Sequence, residues 1–292
     1  MPGPTLDRTA LDRALAIFQS EVGIHSAKSP HSHRVLVVDG LDTADGIWAT
    51  AIYLIACLAG AVRVDTSIAA RVLGGGVDPL VELQRRARAR LGTHNRWTTA
   101  AKRDWRDRRR NPWITEGIAH ALMMCAAHHE SGMVVGATRA LKPLHPQVTQ
   151  QGLDIVGVYA DPLNGLWLAI GEGKATAADP SGQLTDAADF FRKIERGERD
   201  GDLIADLLLL EPVLPGAVLD ELGETLWLGR RTYTPLIAFG TTFDAAAERP
   251  VLLKLKPPRD HKRVVLVRLE RFLGFMDDVA EMARAELPKV VH

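Results

Sequence analysis

The stretch GLDIVGVYADPLNGLWLAIGEGKAT, residues 152–176, consists of two apolar runs joined by a short polar turn. The turn, DPLNG, is made of residue types that favour a tight reversal of the chain. This pattern predicts a β-hairpin with one strand over residues 153–160 and the next over residues 166–174.

Three charged residues lie at the open end of this hairpin, away from the turn. If the two strands pair antiparallel about Leu163, the ladder sets Asp154 directly opposite Glu172. Lys174 follows Glu172 by two residues and therefore projects from the same face of its strand. Directly opposed residues have Cβ atoms roughly 4.5 to 5.5 Å apart. The hairpin thus predicts two carboxylates and one lysine in the same space.

Two carboxylates at this separation repel each other unless a positive charge lies between them. A hard divalent cation such as Mg²⁺ or Mn²⁺ prefers oxygen ligands of this kind, with waters completing its shell. Lys174 would then orient or help deprotonate an attacking water and stabilise charge on a phosphate. The alternative is a structural ion pair in which Lys174 neutralises Asp154 or Glu172. The geometry favours a metal-assisted hydrolytic site over that alternative.

Asp154, followed by the triplet EGK that ends at Lys174, resembles the motif of the PD-(D/E)XK nuclease superfamily. Leu153 stands where the superfamily has its proline. The resemblance implies a restriction-endonuclease-like mixed central sheet flanked by helices, with Asp154 and Glu172 as metal ligands and Lys174 as a catalytic residue. It extends to the preceding helix ITEGIAHALMM, where Glu116 matches an extra glutamate of many members and is implied to be a further ligand or auxiliary acid.

A narrower resemblance covers roughly residues 112–267. The hairpin, the later segment DFFRKIERG and the strand TYTPLIAFG look like the HamA-type nuclease subunit of the Hachiman anti-phage defence system. This resemblance implies a Mg²⁺-dependent DNA nuclease that works beside a partner helicase or ATPase subunit. The alternative from another class is a catalytically inactive nucleic-acid-binding or scaffold subunit with a nuclease-like fold.

Basic residues concentrate in residues 84–113, which we call the basic segment. It carries eleven Lys or Arg and two Asp, a net charge of +9 in a chain whose total is zero. Such a segment is either a solvated charged face or a surface that follows a phosphate backbone, with Trp97, Trp105 and Trp113 available for packing or base stacking. The arginines expected to contact DNA are Arg103, Arg106, Arg108, Arg109 and Arg110.

The order of predicted elements indicates an α/β or α+β fold with a mixed sheet. Residues 1–111 are expected to form an N-terminal, mainly helical α/β region that includes the basic segment. Residues 112–292 are expected to form the nuclease-like domain. Within the second region, strands are predicted for residues 234–239, 251–255 and 264–269, before a final amphipathic helix.

The run GIWATAIYLIACLAGAV, residues 46–62, has no charged side chain, which approaches the minimum length for crossing a bilayer. Its flanking acids and its interior Thr50 and Tyr53 favour a buried helix of a globular protein over a membrane anchor at residues 47–62. Cys57 and Cys125 show no metal-ligand spacing and are interpreted as buried thiols of a cytoplasmic protein. No secretory signal is expected from the N-terminal sequence.

The segment GEGKAT also resembles the end of a phosphate-binding loop. Leu168 occupies the position of that motif's first glycine, and Ala175 replaces the hydroxyl residue that contacts Mg²⁺. The sequence therefore argues against nucleotide hydrolysis.

Overall fold

The computed structural model describes residues 6–62, 79–144, 152–214, 216–227, 229–244 and 251–291. The described strands form one mixed seven-stranded sheet, and helices cover both of its faces. The α/β class and the mixed central sheet expected from the sequence are confirmed.

The strands of the sheet have the following bounds: β1 (Gly23–Ala27), β2 (Arg34–Asp39), β3 (Ala137–Leu141), β4 (Ile155–Asp161), β5 (Gly165–Thr176), β6 (Arg231–Phe239) and β7 (Arg263–Arg268). The described α-helices are α1 (Arg8–Ser20), α2 (Ala44–Leu58), α3 (Pro79–Leu91), α4 (Ala100–Trp105), α5 (Asn111–Met124), α6 (Pro180–Glu195), α7 (Asp200–Leu208), α8 (Gly216–Trp227) and α9 (Phe272–Val290). A π-helical turn (Arg106–Arg110) joins α4 to α5, and 3-10 turns lie at Ala126–His128, Glu211–Val213 and Arg259–His261.

The strand order across the sheet is β1-β2-β7-β6-β5-β4-β3. The four central strands, β2, β7, β6 and β5, are mutually parallel, whereas β1, β4 and β3 join by antiparallel pairing. The sheet therefore takes strands from both sides of the predicted boundary between residues 111 and 112.

Alternation along β5 builds the two apolar layers. Trp167 and Ala169 pack on one face of the sheet with α1, α2, α5 and α9, while Leu168 and Ile170 pack on the other face with α6 and α7. Because this part of β5 is covered on both sides, its sequence is apolar from Leu166 to Gly171 rather than alternating with polar residues. The same alternation carries Glu172 and Lys174 onto the α6 face.

Helix α2 corresponds to the uncharged run of residues 46–62. It is a 15-residue helix that packs against α1, α5 and α9, and the Thr43 hydroxyl caps it by accepting the N–H of Gly46 at 3.0 Å. A helix that is apolar on all sides is explained by burial within a large core. Among the residues that the structure describes, none of the helices has both the length and the apolar character needed to cross a membrane.

The predicted strand at residues 251–255 is wrong. This short apolar run forms turns, and Leu255 donates its N–H to the carbonyl of Leu252 at 3.2 Å. Leu252 and Leu255 are both buried at a spacing of three residues, whereas Leu253 between them is exposed, so the turns bury two leucines without pairing with a strand. Strands β1 and β3 are not among the elements predicted from the sequence.

Candidate active site

The hairpin forms in the predicted register. Ala160 pairs with Leu166, and the ladder continues to the pair Ile155 and Gly171. Asp154 and Glu172 are the next residues of the two strands beyond that pair. Asp154 Oδ2 accepts the backbone N–H of Gly173 at 3.0 Å, so the carboxylate extends the strand pairing by one further hydrogen bond.

Lys174 and Glu172 form an ion pair at the exit of this hairpin. Lys174 Nζ lies 2.8 Å from Glu172 Oε1, and 26% of the Lys174 side chain is exposed, against 10% for Glu172. Burial opposes the charged form of Lys174, but the carboxylates around it, Glu172 foremost, together outweigh burial and raise the pKa of Lys174. Lys174 is therefore an ammonium group at neutral pH, with access to solvent.

Glu116 approaches the hairpin from the opposite face of β5. A Cβ atom added to Gly173 would lie 3.2 Å from both the backbone N and Cα of Glu116, which is tighter than ordinary packing. Because Gly173 has no side chain, α5 can lie against β5 at this position, which separates Glu172 from Lys174 in the sequence. Glu116 thus lies near Asp154 and Glu172, close enough for the charges of these groups to influence one another.

The three carboxyl groups raise one another's pKa. Burial raises the pKa of Asp154 to about 7, with Glu116 acting in the same direction. Burial also raises the pKa of Glu172 to about 8, with the Asp154 charge adding to the effect. For Glu116 the pKa rises to about 7, first through burial and then through the charge of Glu172. An arrangement that makes carboxylates this costly to ionise is typical of functional sites and of sites that take up a cation.

This cluster has a donor set that fits a hard divalent cation only in part. Two carboxylates are enough for Mg²⁺, which usually keeps several waters and binds substrate phosphates as well. In the described part of the chain, however, no three His, Cys, Asp or Glu side chains are grouped so as to hold a metal ion. Asp154 and Glu172 are therefore the residues that would hold it, and the assignment of Glu116 as a ligand stays a prediction.

A buried ion pair holds the residue before Asp154. Lys142 Nζ donates to Asp206 Oδ2 at 2.9 Å and also to the carbonyl oxygen of Leu153. The same Asp206 oxygen accepts the N–H of Leu153 at 3.1 Å. Both polar groups of Leu153 are thus bound by a pair of side chains from the end of β3 and from α7. Because Leu153 directly precedes Asp154, this pair, which we call the Lys142–Asp206 clamp, fixes the position of the carboxylate.

Sequence reasoning missed the clamp. Lys142 follows the short strand β3, and Asp206 belongs to the amphipathic segment DLIADLL, so each residue looks like an ordinary surface charge. A weak signal exists in the sequence, because Asp206 lies among apolar residues on α7.

His120 anchors the helix that carries Glu116. Its ring nitrogens lie 2.6 Å from the Tyr53 hydroxyl and 2.8 Å from the carbonyl oxygen of Lys142. The imidazole is fully buried, and burial lowers the pKa of His120 to about 4. His120 therefore acts as a neutral link between α5, α2 and the clamp.

The basic segment divides into buried and exposed arginines. Arg110 was expected to contact DNA, but its side chain is 0% exposed and lies 2.6 Å from Asp277 on α9. Its guanidinium group also covers the Trp97 ring at 4.5 Å. The assignment of Arg110 as a DNA contact is therefore wrong, because the π-helical turn directs this side chain inward to join the segment to α9. Arg106 is also largely covered, and it pairs with Asp107.

Three of the predicted arginines are exposed. Arg103 donates to the carbonyl oxygen of Trp97, and Arg108 pairs with Asp104 at 2.6 Å. Arg109 is exposed as well. Exposed contacts of this kind are weak, so these side chains are accessible to a phosphate backbone.

Arg90 connects the basic segment with the acid cluster. Burial lowers the pKa of Arg90 to about 10, and the nearby Glu116 carboxylate opposes that change. The Arg90 guanidinium also lies 5.4 Å from the centre of the buried Trp113 ring. The charge of Arg90 also lowers the pKa of Glu116, so this buried arginine of the basic segment lies near the acid cluster.

No protein-family model matches the chain, and no curated protein matches it.

The clamp predicts a large effect of removing one partner. We expect Lys142→Met to lower the free energy of unfolding by about 3 to 5 kcal/mol, because it leaves the Asp206 carboxylate buried without its cation. The double variant Lys142→Met with Asp206→Asn should recover part of the loss, since it keeps an acceptor for Leu153 without a buried charge. Urea unfolding followed by circular dichroism measures both. Equal stability of wild type and Lys142→Met would contradict the clamp.

The pKa of Glu172 predicts a pH-dependent stability in the absence of divalent metal. A carboxyl whose folded pKa of about 8 exceeds its unfolded value stabilises the fold fully below about pH 4 and loses that contribution as pH rises through 8. In EDTA, the free energy of unfolding of Glu172→Gln should therefore rise relative to that of the wild type as pH rises. The relative gain at pH 9 should be roughly 1 to 3 kcal/mol. Thermal unfolding from pH 5 to pH 9 tests this. Parallel curves for the two proteins would show that Glu172 does not carry a raised pKa.

Proposed function

We propose that this chain is a nuclease that hydrolyses DNA phosphodiester bonds with Mg²⁺ or Mn²⁺ as its cofactor. The observation that carries the proposal is the meeting of three carboxylates of raised pKa and one partly exposed ammonium group at the end of the hairpin. Arg90 joins this cluster to a segment with exposed arginines. A cluster of acids alone could bind many cations. A cluster of acids beside a cationic surface can bind a metal cation through the acids and a polyanion through the cationic surface.

Asp154 and Glu172 would hold the cation, with Glu116 beside them as a third ligand or as an auxiliary acid. When bound, the cation would supply positive charge to the scissile phosphate and favour ionisation of water. Its uptake requires both carboxylates in their charged form, so binding should release protons near neutral pH.

Lys174 acts on the phosphate as a cation. Because the pKa of Lys174 is raised by its partner Glu172, the ammonium form dominates at neutral pH. That form donates hydrogen bonds and stabilises negative charge on the phosphate oxygens. It has no lone pair with which to deprotonate water, so the structure favours the charge-stabilising role among those expected for this residue.

Hydrolysis adds a water oxygen to phosphorus, breaks one ester bond and moves one proton to the departing oxygen. A carboxylate accepts the proton that the water gives up. Glu116 would take this role where it is not itself a ligand of the cation, since its raised pKa makes it a stronger proton acceptor than an ordinary carboxylate. The charges of Arg90, Lys142 and Lys174 act on Glu116 and keep its pKa from rising further.

The cellular role is part of the proposal. By its resemblance to HamA-type subunits, the chain would be the effector of a bacterial anti-phage defence system and would work with a helicase or ATPase partner. The exposed arginines Arg103, Arg108 and Arg109 would hold the DNA during cleavage.

A second candidate is a nucleic-acid-binding or scaffold subunit without catalytic activity. Two observations favour it. Lys174 already pairs with Glu172, and among the described residues no three His, Cys, Asp or Glu side chains are placed so as to hold one metal ion. In this case the acid cluster and Lys174 would serve only as a structural ion-pair network. DNA binding would persist while cleavage would be absent.

The nuclease proposal predicts metal-dependent cleavage of supercoiled plasmid. Glu172→Gln and Lys174→Ala should each reduce the cleavage rate by at least about 100-fold, because one removes a ligand charge and the other removes charge stabilisation at the phosphate. Agarose-gel assays with Mg²⁺, with Mn²⁺ and with EDTA measure the rates. A matched control is Glu198→Gln, which neutralises an exposed glutamate beyond the far end of α6.

The two functions give different results in this assay. Cleavage that needs metal and survives only in the wild type and Glu198→Gln supports the nuclease. Folded wild-type protein that binds DNA but does not cut it, with and without a helicase partner, would support the scaffold subunit instead.

The basic segment predicts salt-dependent binding. Replacing Arg103, Arg108 and Arg109 by alanine should weaken DNA binding and reduce the slope of log K against log salt by about one for each phosphate that the variant no longer neutralises. Fluorescence anisotropy with a labelled duplex between roughly 50 and 200 mM salt measures the slope. The control variant replaces Lys193, Arg196 and Lys289, three exposed cations outside the segment. An equal effect of both triple variants would remove the basic segment from the binding surface.

A further inference from the structure

The basic segment contains a pocket that the proposed chemistry does not use. The pocket has a volume of about 470 Å³ and lies between the end of α3 and the start of α4. Two aromatic rings, Trp97 and Trp105, form part of its lining, and Arg88, His94 and Lys102 supply basic groups around them. We call it the tryptophan pocket.

The two rings stack on each other within the lining of the pocket. Their planes are within 20° of parallel, and their centres are 6.1 Å apart. Trp105 lies over Gly92, where an added Cβ would be 3.3 Å from the ring in a backbone conformation with φ of +76°. Glycine at position 92 therefore ends α3 and gives Trp105 its place.

The ring pair is held in position by the rest of the fold. The Trp97 indole donates to Asp277 at 3.1 Å, and the buried Arg110 lies over its ring. Asn95, in the loop between the two helices, donates to the carbonyl oxygen of Asp277 at 2.9 Å. Arg284 donates to the carbonyl oxygen of Leu91 at 3.0 Å. The pocket is thus anchored to α9 before any ligand arrives, which lowers the ordering cost of binding.

We propose that the tryptophan pocket binds a nucleobase by stacking, with the adjoining phosphate held by Arg88 and Lys102. Aromatic rings beside cationic side chains are the combination by which proteins bind unpaired bases, since every base has a flat face and each nucleotide carries a negative charge. A paired base inside a duplex cannot present its face to a protein ring. The inference rests on the proposed function and deepens it, because it assigns a strand with accessible bases as the substrate that this chain holds best.

The test measures binding without cleavage. Glu172→Gln protein in EDTA is titrated against three labelled probes of equal phosphate number, namely a single-stranded oligonucleotide, the same backbone without bases, and a blunt duplex. We expect the single strand to bind more tightly than either of the other probes. Adding Trp105→Ala should weaken binding of the base-containing strand by about 5- to 100-fold and leave the abasic strand unchanged. Trp105→Phe keeps a ring and should restore most of the affinity, and thermal unfolding confirms that each variant is folded.

A competition experiment tests whether the pocket also binds a free nucleotide in addition to a base within a strand. Adenosine monophosphate that displaces the strand in a manner dependent on Trp105 would support the pocket and show that a free nucleotide also fits, whereas inorganic phosphate should not compete. Equal affinity for the base-containing and abasic strands, or an equal loss for both in Trp105→Ala, would overturn the proposal. That outcome is independent of the nuclease proposal, because plasmid cleavage that needs Glu172 would persist with or without a stacking pocket.

Discussion

The hydrogen bond from the Gly173 N–H to Asp154 is the contact on which the acid cluster depends. It extends the β4 and β5 pairing by one step and so holds two carboxylates at the same end of the sheet. Burial raises the pKa of both, and repulsion adds to it, from Glu116 for Asp154 and from Asp154 for Glu172. Gly173 serves this contact on one side and admits the backbone of Glu116 on the other. A single residue without a side chain thus allows three acids to gather.

Such a cluster is unfavourable on its own, and the surrounding structure shows how it is maintained. Lys174 offsets the charge of Glu172 from the solvent side, and Arg90 acts on Glu116 from helix α3. The Lys142–Asp206 clamp binds the backbone N–H and carbonyl oxygen of Leu153. It therefore restricts the backbone directly before Asp154. Repulsion of this kind is expected where a site awaits a ligand of opposite charge, since the ligand relieves the repulsion that the fold sustains.

The basic segment shows why a count of charges is a poor guide to a binding surface. Its arginines form a continuous series in sequence, yet the π-helical turn places Arg110 against Asp277 in the interior and leaves Arg103, Arg108 and Arg109 outside. Buried members pack against Trp97 and Trp113, while Arg88 and Lys102 line the tryptophan pocket. One segment therefore serves both the packing of α9 and the recognition that we propose.

The sequence by itself determined the hairpin, its register and the grouping of Asp154, Glu172 and Lys174, because alternation and turn residues act over short distances along the chain. It also determined the buried character of α2 and the α/β class. Only the tertiary structure decided that residues 251–255 form turns, that Arg110 is internal and that Lys142 meets Asp206, 64 residues away. These outcomes depend on which residues, distant in sequence, are buried next to each other. The role of a buried charged group is set by its partner in space rather than by its neighbours in sequence.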